Sequence, residues 1–139
     1  MSPDEDEESL PEAFWAVTRR LRQRTREVLA PWDITPAQSR AVDVLARHGP
    51  LRLSELSEKL RIAPRSTTEV VDALAERGLA ERQPDPDDRR ATLVRLTEPG
   101  TATAKAIRSS RDAEAAGFFG RLSERDRTEL TRILRTLRE

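Results

Sequence analysis

Residues 53–97 read LSELSEKLRIAPRSTTEVVDALAERGLAERQPDPDDRRATLVRLT. Ser54 is a plausible cap for a short helix that buries Leu56 and Leu60. Arg61-Ile62-Ala63 is a three-residue turn. Pro64, suited to a first helical position, opens a second helix that runs to Arg77, and Gly78 supplies its left-handed stop. The period then changes. Leu79 to Arg82 reads as a strand, Gln83 to Arg90 as a charged, turn-rich loop, and Ala91 to Leu96 as the returning strand. A short helix, a tight turn and a second helix make a helix-turn-helix. A hairpin directly behind it, with Arg89 and Arg90 near a long tip, makes a winged helix.

The second helix of this unit has a definite polarity. At about 100° per residue, Thr67, Val70, Val71 and Leu74 share one face, which belongs to the core. Arg65, Thr68, Glu69, Asp72 and Glu76 share the opposite face, so the exposed side is Arg/Thr at its start and acidic at its end. Such helices dock mainly their N-terminal part on base edges. Arg65, Ser66 and Thr68 can donate to bases or phosphates, and a helix N-terminus itself favours phosphate. Asp72 and Glu76 oppose a flat approach, so an end-on approach is expected. Glu69 can accept from a cytosine amino group or pair with Arg65 one turn away. Arg89 and Arg90 either enter a narrow minor groove, where an Arg reads width and potential, or stay solvated with Asp85, Asp87 and Asp88 cancelling their charge.

Outward from this unit the chain is helical. Ser9 and Glu12 propose a capping box ahead of a helix whose apolar stripe is Leu10, Phe14, Val17, Leu21 and Val28. Its other face carries Arg19, Arg20, Arg22, Arg24 and Arg26, and it ends near Ala30, before Pro31. Thr35 and Gln38 form a second box, and Gly49-Pro50 ends that helix. Leu51 to Leu53 reads as an extended link. Thr97 caps an Ala-rich helix reaching about Phe119, and Ser123 caps a last helix with Leu130, Ile133, Leu134 and Leu137 on its apolar side.

The chain resembles the MarR family of bacterial transcription regulators from about Leu10 to Leu137. The resemblance rests on Gly78-Leu79-Ala80-Glu81-Arg82, Asp85-Pro86-Asp87-Asp88-Arg89-Arg90, Leu93-Val94-Arg95-Leu96-Thr97 and Gly100, which look like that family's wing. Pro64-Arg65-Ser66-Thr67-Thr68 matches the start of its recognition helix. The resemblance implies a mainly α fold with a small β-hairpin wing. Residues 1–9 would be a disordered acidic tail and 10–32 an N-terminal dimerisation helix. A winged helix-turn-helix lobe would span 33–97, and C-terminal dimerisation helices 98–139. It also implies a homodimer on double-stranded DNA, with each recognition helix in a major groove and each wing in an adjacent minor groove. The DNA contacts it implies are Pro64, Arg65, Ser66, Thr67, Thr68, Arg89 and Arg90, with Asp88 bracing the wing. Family effectors often bind between the dimerisation helices and the DNA-binding lobe. Trp15 and Trp32, with Arg22 or Arg40 holding an anionic group, are candidates for a pocket taking a small aromatic or anionic effector; ordinary packing is the alternative for both tryptophans. Two positions depart from the family pattern. Arg61 stands where the turn often has Gly, and Ala63 stands at the cap position without a side-chain acceptor.

Composition bounds the rest. The chain has 139 residues, 25 basic and 25 acidic, one His and no Cys. It can form no disulfide, thiolate metal site or thiol redox switch. No apolar run is long enough to span a membrane, and the acidic start is not a signal segment, so a cytoplasmic protein is expected. His48 reads as a helix C-terminal residue favourably placed against the dipole. With a lone His, scattered glycines and no acid pair in an apolar setting, neither a triad, a metal site, a cofactor site nor a phosphate loop assembles, so an enzyme is not expected. The zero net charge hides an asymmetry: six acids fall in the first twelve residues, leaving 25 bases against 19 acids on residues 13–139. Of the 25 bases 23 are Arg, an excess that GC-rich coding bias explains by itself, so each Arg is judged by position. The expectation is a ligand-responsive repressor on palindromic operators. A winged-helix protein-interaction module without DNA binding is the alternative, disfavoured by Arg at both the wing and the recognition-helix start.

Overall fold

Capping and proline chemistry set most of the helix starts. The computed structural model describes residues 7–139, so positions 1–6 of the expected acidic tail lie outside the described residues. Helix α1 (Leu10–Leu29) opens at Ser9, whose side chain accepts the Glu12 N–H at 3.3 Å. It runs into one 3₁₀ turn, Ala30–Trp32, beyond which Asp33 is left-handed at φ 52°. Helix α2 (Pro36–His48) opens with the complete Thr35/Gln38 box. Strand β1 (Leu51–Arg52), helix α3 (Leu53–Leu60) and helix α4 (Pro64–Glu76) follow. Strands β2 (Ala80–Asp85) and β3 (Asp88–Leu96) form the wing, and helices α5 (Glu98–Phe119) and α6 (Glu124–Arg138) complete the chain.

Three local expectations are corrected. The link at Leu51–Arg52 is a strand: Leu51 pairs with Val94 and Arg52 with Leu93, giving an antiparallel sheet in the order β1-β3-β2. Two residues are too few for period-2 alternation to register in a sequence. Ser54 does not cap α3, which begins one residue earlier; the Glu55 carboxylate instead accepts the Arg52 N–H at 3.0 Å. The wing tip is short, because pairing continues to Asp85↔Asp88 and leaves only Pro86 and Asp87 between the strands. Pro84 is tolerated because β2 is an edge strand and needs no donor on its outer side.

The core lies where α2, α3, α4 and the sheet meet. Leu56, Leu60, Val71, Leu74 and Val94 are fully buried there, with Leu29 entering from the end of α1 and Ile107 from α5. α1 packs against α5. By contrast, α6 buries no residue, and Leu10, Phe14, Val17, Ile133, Leu134 and Leu137 are exposed on α1 and α6.

The join between α4, the wing and α5 is tight. Gly78, at φ 74°, lets the chain reverse, and the Leu79 N–H returns to the Leu74 carbonyl at 2.9 Å. Thr97 Oγ1 donates to the Gly78 carbonyl at 2.6 Å and accepts the Gly100 N–H at 3.1 Å. A Cβ at Gly100 would fall 1.9 Å from the Leu79 carbonyl oxygen. The backbone there cannot give way without moving the start of β2. Gly100→Ala is therefore expected to lower unfolding free energy by about 2 kcal/mol or more, measured in urea. A variant as stable as the parent would show that this approach is not a constraint.

Candidate nucleic-acid interface

The angle between α3 and α4 is held by buried hydroxyls. Ser57 Oγ donates to Thr67 Oγ1 at 2.8 Å, and Thr67 Oγ1 donates to the Ala63 carbonyl at 3.2 Å. Thr67 is fully buried and Ser57 nearly so, and each hydroxyl is satisfied, as buried polar groups must be. Arg61 takes the left-handed conformation at φ 55°, which costs a non-glycine residue about 1 kcal/mol. In return the Ile62 N–H reaches the Ser57 carbonyl at 3.3 Å and the turn closes in three residues.

This turn brings most of the sequence-predicted residues of the recognition helix together. Pro64, Arg65, Ser66 and Thr68 are all exposed at the start of α4. Thr67 does not belong with them: its side chain points into the core and both its bonding directions are used. Ala63 offers no side-chain cap, so the first N–H groups of α4 have no partner from that position. Thr68 Oγ1 donates to the Pro64 carbonyl at 3.1 Å, which uses its one hydrogen and leaves the oxygen able to accept. Arg65 and Glu69 form no ion pair with each other. Farther along, Asp72 meets Arg82 of β2 at 2.5 Å, so the acidic end of the helix is partly neutralised by the wing.

Arg89 and Arg90 are exposed where β3 begins. Asp88 accepts the Arg90 N–H on Oδ1 at 3.0 Å, a local contact that shapes the turn. The tertiary anchor of the wing is a pair that sequence reasoning missed. Asp85, 6% exposed, accepts from Arg52 Nε at 3.0 Å and Nη2 at 2.8 Å through Oδ2. Its Oδ1 accepts the Asp87 N–H at 2.9 Å. The Asp87 N–H, with the Arg52 guanidinium second, holds the Asp85 carboxyl below the usual carboxylate range. Asp85 in turn raises Arg52. Arg52 stands 33 positions from Asp85, and nothing in the three clustered acids marks which one turns inward.

The four candidate pocket residues do not share a site. Trp15 is exposed, edge-on to Phe14 at 5.7 Å. Trp32 packs against the core beyond the other end of α1. The helix between Trp15 and Leu29 spans roughly 21 Å at 1.5 Å per residue. Arg40 Nη2 donates to the Leu60 carbonyl at 2.7 Å and closes the end of α3. Arg22 lines an open groove with Leu21, Thr25 and Pro36, without either tryptophan. A polar cleft of about 220 Å³ lies instead between α2 and α5, lined among others by Ser39, Asp43, Arg47, Arg108 and Arg111. Asp43 pairs there with Arg47 at 3.3 Å and Arg108 at 3.5 Å.

Comparison with known proteins gives concordant matches. The model of the MarR family matches residues 34–92, from just before α2 into β3. An HTH-type transcriptional regulator of Mycobacterium bovis is 35% identical over 127 residues, covering 88% of this chain and 87% of that protein. The HTH-type transcriptional repressor MdtR of Bacillus subtilis is 26% identical over 118 residues, covering 85% and 76%. A MarR family protein from Bacillus stearothermophilus superposes with a TM-score of 0.81 at 28% identity, covering 99% of this chain and 96% of that one.

The wing anchor makes a testable statement about pH. A carboxylate whose pKa is lowered on folding contributes stability above its unfolded pKa, and that contribution fades as pH falls through the folded value. The Arg52–Asp85 anchor is thus expected to persist at neutral and mildly acidic pH and to loosen only below about pH 4, the usual Asp range. Hydrogen exchange at the Asp87 amide reads it. Protection at neutral pH that disappears in Asp85→Ala is expected, and equal protection in the two proteins would remove Asp85 from the anchor.

Proposed function

The chain belongs to the MarR family and is a transcription regulator with a DNA-binding helix-turn-helix; from that premise we propose that it is a ligand-responsive repressor acting as a homodimer on palindromic operators. The observation that carries this reading is the uncapped N-terminus of α4, with Arg65, Ser66 and Thr68 outward beside a wing carrying Arg89 and Arg90. Backbone N–H groups and Arg at a helix start suit phosphates and base edges. Pro64, Arg65, Ser66 and Thr68 would meet a major groove, and Arg89 and Arg90 the adjacent minor groove.

The exposed apolar side chains of α1 and α6 support the dimer, since a monomer gains nothing by leaving Leu10, Phe14 and Leu137 in water. Residues 10–32 and 98–139 would form its interface and 33–97 the reading lobe. Two such lobes place their recognition helices about one DNA turn apart, roughly 34–36 Å, which implies an operator with two-fold symmetry. The Bacillus subtilis relative is a repressor, which supports that sign of regulation here. For the effector, the α2–α5 cleft is a better candidate than the tryptophans. It lies between the lobe and α5, and three Arg against Asp43 and Asp112 suit a small anion. A ligand bound there would act through its different affinity for the two lobe spacings. No helix of the described residues is long and apolar enough to cross a membrane.

Site selection from random DNA, followed by titration of the selected duplex, tests the reading. An imperfect palindrome is expected, with half-sites about 10 bp apart centre to centre. Arg90→Ala is expected to weaken binding about ten-fold while sedimentation shows an intact dimer. Wild-type affinity in that variant near physiological salt would remove the wing from the mechanism, and recovery of no enriched site would favour a module that binds protein alone.

A further inference from the structure

Arg77 is the first residue beyond α4, at the far end of the recognition helix from the residues proposed to meet DNA. Its side chain leaves its own helix. Nη1 donates to the Asp33 carbonyl at 2.6 Å and Nη2 to the Trp32 carbonyl at 2.5 Å. The two acceptors are consecutive and sit at the end of the 3₁₀ turn that continues α1. Unsatisfied carbonyls at a helix end carry partial negative charge, so a cation is favoured there. The planar fork of Arg spans two carbonyls at once, which a Lys ammonium does not do in a fixed geometry.

The junction has two further fastenings. The Trp32 side chain packs against the lobe core. Asp33 is held left-handed, with its N–H on the Ala30 carbonyl at 3.0 Å. The chain passes from α1 into the lobe at this point, and Arg77 adds a non-covalent tie over 44 residues of sequence. We infer that Arg77 is a positioning residue that couples the end of α1 to the C-terminus of the recognition helix and so sets how far apart two recognition helices stand in the dimer. The inference about spacing rests on the DNA-binding reading above; the coupling itself does not.

Two measurements keep these apart. Trp15 and Trp32 are the only tryptophans, so Trp15→Phe leaves Trp32 as the sole reporter. In that background Arg77→Ala is expected to raise acrylamide quenching of Trp32 by about two-fold or more, as a fastened segment opens locally. Unchanged quenching would overturn the inference whether or not the protein binds DNA. The second measurement titrates operators whose half-site spacing is altered by one base pair in either direction. The parent is expected to lose about ten-fold or more per step, and Arg77→Ala less than about three-fold, with Arg77→Lys between them. Arg90→Ala should lower all spacings alike. A spacing profile in Arg77→Ala parallel to the parent's would overturn the inference, and a parallel loss with a salt slope smaller by about one would make Arg77 a phosphate contact instead. Failure of the parent to bind any selected duplex counts against the DNA reading, and the quenching result then decides the coupling.

Discussion

The hydrogen bond from Ser57 to Thr67 is the contact on which the reading surface depends. It lies between α3 and α4, in a lobe whose core includes the buried Leu56, Leu60, Val71 and Leu74, and it fixes one pairing of the two helices. With Thr67 inward, Val70, Val71 and Leu74 follow on the same face, and Ser66 and Thr68 at its margins are exposed. Burying two hydroxyls is expensive unless they satisfy each other, so the pair also penalises any packing that separates them. The left-handed Arg61 and the uncapped Ala63 are local costs accepted by a turn that this pairing defines.

Electrostatics then sorts the arginines. The stretch from Leu53 to Leu96 is close to charge-neutral in total, yet its charges are not equivalent. Asp72 is paired with Arg82, Glu81 with Arg95, and Asp85 with Arg52. Arg65, Arg89 and Arg90 form no ion pair among the described residues. The paired groups stiffen the wing and tie it to β1 and α4. Arg65 at the start of α4 and Arg89 and Arg90 at the start of β3 are the exposed ones proposed to meet a groove and its flanking phosphates. A neutral lobe of this kind does not attract nucleic acid through bulk charge, and its affinity must come from a few placed donors, helix N-termini and dimer geometry.

The helices were legible because their signals are local. Thr35 with Gln38, Pro64 and Gly78 each act within four residues, and the Thr67–Val71–Leu74 face follows from periodicity alone. The wing strands were legible in type but not in length, since Pro84 and the clustered acids look like loop until the edge position of β2 is known. β1 was legible as an extended link but not as a paired strand, because two residues carry no period. The Arg52–Asp85 anchor and the Arg77 tie were invisible for a different reason: each joins distant segments, and no spacing rule links them. The supposed tryptophan pocket failed on length, since helix α1 separates the two rings.

The claim most open to direct test is that specificity comes from placed groups on a neutral lobe. Binding of the selected operator and of a scrambled duplex, both at about 0.15 M salt, measures it. An affinity ratio of about a thousand-fold or more is predicted, with non-specific binding at the weak end of the usual range. Comparable affinities for the two duplexes would contradict the account and show that charge, not geometry, holds this protein on DNA.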